Sequence, residues 1–310
     1  MLRNSTLTNE MVFEFAKDLG FELVGFARAD LLTDEVAKLK EWLKNNYHAG
    51  MAYMERNIDK KNDVTLILQN AKSVISLGMN YFVPQDFKLS KGEAKVSRYA
   101  WGKDYHFIIK EKLESLINNL KNIEPRFEGI GYVDSGPLMD KVWGFKAGLG
   151  WIGKNSNLIN KNFGSYFFIA NVITNFEFKY NFPEPDHCGN CTACMEACPT
   201  KAIVSPKIID SNKCISYLTI ENKGEIPGSF KNKFSGWIFG CDICQEVCPW
   251  NKKFSRPTVV KEFYNTPNKT LRLEDFREMS NGQFKARFAQ SPIKRAKLKG
   301  MRRNALFLLE

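Results

Sequence analysis

Eight cysteines, all between residues 188 and 248, carry the plainest chemistry in this 310-residue sequence. Cys188, Cys191, Cys194 and Cys198 stand in the order C-x2-C-x2-C-x3-C, and Pro199 follows. That run delivers thiolates to a 4Fe-4S cluster, and where two clusters are paired its fourth cysteine ligates the other one. Cys241, Cys244 and Cys248, before Pro249, repeat the last three positions, with Ile238 where a first cysteine would stand. Cys214 is the cysteine left over. The spacing therefore assigns Cys188, Cys191, Cys194 and Cys248 to one cluster. Cys198, Cys214, Cys241 and Cys244 fall to the second. Two zinc sites of four thiolates each would use the same ligands. They would be expected as paired C-x2-C knuckles without the two Cys-Pro endings, so iron–sulfur is the stronger reading. Two adjacent clusters conduct electrons, but they name no substrate.

A second group of candidates lies in the stretch GIGYVDSGPLMDKVWGFKAGLGWIGKN. Asp134 stands at an expected strand end, where α/β folds present reactive groups. A carboxyl there can serve as a general acid if burial raises its pKa. It can equally cap the helix expected from Pro137. Asp140 reads as a solvated helix residue. Gly148, Gly150 and Gly153 lead into Lys154 and Asn155, a loop whose backbone can approach a large ligand. It matches neither G-x-G-x-x-G nor the Walker run, so nothing points to NAD or ATP. His48, His106 and His187 are the only histidines. They form no metal-binding pair, and His106, at an expected helix start, reads as structural.

To hold these groups the first 180 residues alternate helix and strand, which implies an α/β (α+β) domain with helices over the sheet. The periodicity predicts helices in 9–20, 33–47, 104–123 and 137–150, and strands in 21–30, 73–82, 127–134 and 164–175. A Pro- and Asn-rich linker near Lys179 then delivers the chain to the cysteines. The resulting division is 1–180, 181–258 with the cysteines, and a basic helical segment 259–310. Within that last segment Ser291 and Pro292 open a helix as cap and first residue. The formal charge is +11, and residues 281–310 hold eight basic residues against one acid. Such a cluster suits an anionic partner, nucleic acid first, or else a solvated helix face. No run of eighteen apolar residues and no signal segment is present, so a cytoplasmic protein without a membrane span is expected. Reduced thiols in that compartment favour metal or redox chemistry over disulfides.

Taken together, WGKDYH, VDSGP, AGLGWIGKN, CGNCTACMEACPTKAI, CISYLTIENKGEIP and GCDICQEVCPWN resemble the epoxyqueuosine reductases along the whole chain. The resemblance implies a cobalamin-binding N-terminal domain, a ferredoxin-like domain with two 4Fe-4S clusters, and reduction of epoxyqueuosine to queuosine at the tRNA wobble position. It implies Asp134 as proton donor. It places Lys61, Ser97, Asp134, Gly153, Leu158, Asn222, Asp242 and Ile243 around cobalamin. Lys223, Lys294, Arg295, Arg302 and Arg303 become candidate tRNA contacts. The implied partners are tRNA with a GUN anticodon and a low-potential donor such as ferredoxin or flavodoxin, with the enzyme a monomer. The D-x-H-x-x-G pattern that places a histidine under cobalt is absent. Asp140 stands where the family suggests Glu, DKKNDV departs from the family pattern at Lys61, and the chain reads as a short form without complete helical repeats. Two rivals share parts of this reading. One is a reductive dehalogenase-like cobalamin enzyme. The other is a ferredoxin-type electron carrier without catalysis of its own.

Overall fold

The structure, a computed structural model, describes residues 7–309. Its centre is a four-stranded sheet in the order Leu23–Arg28, Ser73–Asn80, Phe167–Thr174, Gly129–Tyr132, antiparallel throughout. Every residue of Ser73–Asn80 is buried. The period of two sends Ile75, Leu77 and Met79 to one face and Val74 to the other. Helices Asn9–Asp18 and Tyr105–Ile123 cover the first face with Val12, Ala16, Ile109, Leu113 and Leu116. Helices Thr33–Lys44 and Asp140–Lys146 cover the second with Val36 and Trp143. The expected layers are therefore present, in the α+β arrangement. The helix expected from Pro137 begins only at Asp140, and its preceding residue, Met139, makes no side-chain cap.

A second sheet was not legible in the sequence. Glu93–Val96 lies between Trp237–Phe239, paired parallel, and Thr270–Arg272, paired antiparallel. Each strand comes from a different one of the three expected segments. Its strands have three or four residues each and, unlike Gly129–Tyr132, were not marked by the alternation of helix and strand around them.

Around this sheet the C-terminal segment supplies core rather than a loose tail. Phe276, Phe284, Phe288, Ile293, Leu298, Met301 and Ala305 are buried with Val96, Trp101 and Phe239. Ser291 caps the short turn Pro292–Ala296 through Ile293 N, as its sequence suggests, and helix Lys297–Leu309 follows. Asn304, 1% exposed, donates to Thr219 O and Ile238 O at 2.8 and 2.9 Å. It thereby ties the last helix to the strand that leads into Cys241. Among the described residues no helix is long and apolar enough to cross a membrane.

Candidate active site

Asp134 sits just past strand Gly129–Tyr132, in a turn closed by Ser135 N donating to Val133 O at 2.6 Å. Its φ is 57°, a left-handed conformation that costs a non-glycine residue energy and recurs at functional sites. It caps no helix. Its carboxylate instead accepts from Tyr105 Oη at 2.7 Å and faces His106 Nε2 at 3.6 Å. The side chain is still 66% exposed, so its carboxylate reaches solvent.

Tyr105 and His106 are aimed by the start of their helix. Asp104 is its N-cap and accepts from His106 N, as short polar side chains do there. The same carboxylate takes His106 Nδ1 at 2.7 Å and Lys294 Nζ at 2.8 Å. Tyr105 lies flat on Phe168, ring centroids 4.1 Å apart. His106 thus has a carboxylate at each ring nitrogen. Burial opposes its charge, but Asp104 and Asp134 prevail and raise it to about 9. Burial likewise opposes the charge on Asp104, yet His106 and Lys294 lower it to about 2. His106 and then Tyr105 hold Asp134 below the usual carboxylate range.

Asp140 is no solvated helix residue. It accepts from Asn171 Nδ2 at 2.7 Å, and Asn171 in turn accepts from Ser76 Oγ at 2.6 Å inside the sheet. Burial, then the charge of Asp134, push its carboxyl up to about 7. His106, read as structural from its position, touches the acid. Asp104 and Lys294 went unrecognised as its partners. The motif WGKDYH held a signal, since an aspartate is a preferred N-cap and fixes where Tyr105 and His106 start the helix.

The thiols fall into two neighbouring groups. Cys188, Cys191, Cys194 and Cys248 line one cavity of about 360 Å³ with Trp250, His187 and Ile159. All eight cysteines are free. In the other group, burial pushes the Cys244 thiol up and Cys214 and Cys198 add to it; burial, Cys244 and Cys214 do the same to Cys241. Crowded thiols that resist ionisation suit a metal centre, which displaces their protons on binding. Among the described residues no three His, Cys, Asp or Glu side chains converge on a single ion. Short helices Ala193–Ala197 and Ile243–Glu246 pack together between the groups.

The remaining candidates divide. Ser97 donates to Asp242, whose other oxygen accepts from Arg98 N at 2.7 Å, so these two candidates are joined. Ile243 follows directly, at the start of its short helix. Asn155 beyond Gly153 donates to Cys244 O at 3.2 Å. The glycine loop proves to be a hairpin, Trp151–Ile152 with Leu158–Ile159. A Cβ on Gly150 would lie 2.0 Å from Ile159 O, and one on Gly153 2.4 Å from the Ile159 side chain. The close approach is of the chain to itself. Leu158 is buried, packed toward Gly144. Asn222 turns its amide onto Glu225 O and Gly224 O.

Lys61 faces inward, its ammonium bonded to Met54 O and Arg56 O at 2.8 and 2.6 Å. The basic tail is likewise committed. Arg295 pairs with Glu221 at 2.8 and 3.1 Å. Arg302 holds Phe276 O and Met279 O. Arg303 holds Leu218 O, Asn222 O and Gly224 O. With Lys294 on Asp104, four of the five expected tRNA contacts have a partner within the protein, Lys294 and Arg295 on carboxylates and Arg302 and Arg303 on carbonyls, although Lys294 and Arg295 remain exposed. Lys223 stays exposed, as do Lys285, Lys297 and Lys299.

Thiols in two adjoining groups can hold a pair of iron–sulfur clusters, and Lys141 feels both Asp134 and the thiols of Cys244 and Cys214. A carboxylate set beside such thiols is the arrangement of an iron–sulfur oxidoreductase. Residues 187–251 match a 4Fe-4S double cluster binding domain, and residues 61–135 match epoxyqueuosine reductase QueG, DUF1730. The epoxyqueuosine reductase of Leadbetterella byssophila is 48% identical over 297 residues, covering 96% of each chain. That of Cellulophaga algicola is 47% identical over 94% of each. A crystal structure of epoxyqueuosine reductase with an epoxyqueuosine-modified tRNA stem loop superposes with a TM-score of 0.91 at 33% identity, over 97% of this chain and 80% of that one. The Bacillus subtilis enzyme gives 0.90 at 31%, with the same coverage. The chain belongs to the epoxyqueuosine reductase family.

Proposed function

We propose that this chain reduces epoxyqueuosine to queuosine in tRNA with a proton delivered through Asp134 and electrons carried through two 4Fe-4S clusters to cobalamin. The observation that carries the reading is the exposed carboxylate of Asp134, backed by His106 and Tyr105, in a chain whose thiols form two groups. The reaction breaks both C–O bonds of the epoxide and forms a C=C bond. Two electrons and two protons leave the oxygen as water.

Cys188, Cys191, Cys194 and Cys248 hold one cluster; Cys198, Cys214, Cys241 and Cys244 hold the other. Ser97, Asp134, Asp242, Ile243 and Asn222, with the Gly153–Leu158 turn, border the cobalamin site. The fit can be tested on the histidines, since a protein imidazole under cobalt would have to be free. His106, the histidine beside Asp134, faces Asp104 at Nδ1 and Asp134 at Nε2, so it would not serve as a ligand to cobalt. A cobalamin bound here would relay electrons from the clusters to a carbon of the substrate.

The proton path follows from the pair. While the carboxylate is open to solvent the proton resides on His106 and Asp134 is ionised. Substrate covering it strips water from the carboxylate, and desolvation raises a carboxyl pKa. Asp134 then takes the proton and passes it to the epoxide oxygen as the ring opens. Exposed Lys223, Lys285, Lys297 and Lys299 offer charge to tRNA phosphates.

Anaerobic turnover with epoxyqueuosine-containing tRNA, a chemical reductant and cobalamin, read by nucleoside analysis, tests the activity. Asp134→Asn should keep both clusters and the corrin absorption while turnover falls about 10²–10⁴-fold, the usual worth of a general acid. Near-normal turnover in that variant would remove Asp134 from the role. Corrin uptake also separates this reading from a plain electron carrier, which would take up none.

A further inference from the structure

The far side of His106 belongs to a segment of the chain that the reaction does not otherwise explain. Asp104 is 2% exposed and accepts bonds on both oxygens. His106 N and Nδ1 take Oδ1, and Lys294 Nζ takes Oδ2. Asp104 N itself donates to Gln290 O at 2.7 Å. The C-terminal segment therefore grips Asp104 through a backbone carbonyl and a lysine. Lys294 lies 4.3 Å over the Phe107 ring, which fixes its course. A carboxylate can only accept, so the imidazole presents a proton to Asp104 at Nδ1, while Nε2 faces Asp134 at ion-pair distance, 3.6 Å.

We propose that Asp104 and Lys294 are positioning residues for the proton donor: Lys294, from the C-terminal segment, fixes Asp104, and Asp104 orients His106 and keeps a proton on it facing Asp134. This rests on Asp134 acting as the acid. Neither residue touches substrate. Asp104 acts through His106, and Lys294 acts through Asp104. Lys294 is thus assigned away from phosphate binding, although it lies in the most basic stretch of the sequence.

The other groups around the pair must be kept apart from this effect. Tyr105 donates to Asp134, and Asp140 and Lys141 act on it from helix Asp140–Lys146. Tyr99, Tyr53 and Arg295 feel Asp134 from farther off. Asp140, raised to about 7, titrates near the same range as the pair. A rate profile alone would mix the two, so the imidazole itself has to be observed.

The chain has three histidines, so histidine labelled with carbon-13 at Cε1 gives three resonances in the cluster-loaded protein. Substituting His106 by Gln assigns its signal. Asp104→Asn should lower the His106 titration midpoint by about 1–3 units, the usual effect of one adjacent charge. The alkaline limb of kcat should move down with it. The double variant Asp104→Asn, Lys294→Met leaves no unmatched lysine, is the safer one to fold, and should show the same downward shift. Lys294→Met should lower kcat with KM for tRNA unchanged, and Lys294→Arg should restore kcat. An unmoved His106 midpoint in both Asp104 variants would overturn the proposal. So would a Lys294→Met effect confined to KM, which would return that lysine to tRNA binding. Retained turnover in Asp134→Asn would sink the proton-donor reading instead, while the response of His106 to Asp104 would stand.

Discussion

At the scale of single residues, neighbours rather than residue type decide which carboxyl does what. Asp134 is held ionised by His106, while Asp140, farther along the same stretch, is pushed up to about 7 by burial and by the charge of Asp134. The sign of the stability effect follows. A carboxyl with ordinary value 3.8 raised to about 7 on folding makes the folded state bind the extra proton between those values. Stability is then lost as pH rises through that window. Asp140→Asn removes the titration, so its melting temperature relative to the parent should rise between pH 4 and 8 in paired thermal scans. A constant difference across that range would show that Asp140 is not raised. Cys214 poses a different question, since it stands apart from both cysteine runs. Cys214→Ala should cost one cluster of the two in iron and sulfide analysis, and retention of both would free it from ligation.

At the scale of elements, local signals were legible and tertiary ones were not. Cysteine spacing needs only sequence distance, so the two thiol groups follow from the order of residues alone. The four longer strands and their helices were legible from periodicities of 2 and 3.6. Asp104 and Lys294 lie 190 positions apart, and nothing local says that they meet. The glycines before Asn155 looked like a ligand cradle because sequence cannot tell approach to a ligand from approach to another strand. Asn304 is the element-scale counterpart: one amide serves two carbonyls from two elements, Thr219 O in helix Ile215–Ile220 and Ile238 O in strand Trp237–Phe239. Asn304→Leu keeps the volume but orphans both carbonyls, at about 1–3 kcal/mol for a buried group left unmade. Denaturant unfolding should show that loss, with cluster release at lower denaturant.

At the scale of the whole molecule, the C-terminal segment is part of the core, and Lys294, Arg295, Arg302 and Arg303 each fasten it to another part of the protein or to itself. Cutting after Gln290 would remove Ile293, Leu298 and Met301 from that core and would measure stability, not affinity for tRNA. The exposed lysines offer a cleaner probe. Replacing Lys223, Lys285, Lys297 and Lys299 by Gln should weaken tRNA binding uniformly across sequences. It should also flatten the dependence of log K on log salt, by about 0.7–0.9 for each phosphate that is no longer neutralised. Melting temperature should hardly change. An unaltered salt slope would place the phosphate-binding groups elsewhere.

The sheet that draws one strand from each segment also sets an order of events during synthesis. Glu93–Val96 leaves the ribosome about 140 residues before its partner Trp237–Phe239. At ~5–20 residues per second the gap is roughly 7 to 28 seconds. Cys241 follows that strand closely, so until the pairing forms it has no fixed position, and Thr270–Arg272 completes the sheet later still. Iron delivery to the second thiol group is therefore a task for a nearly finished chain.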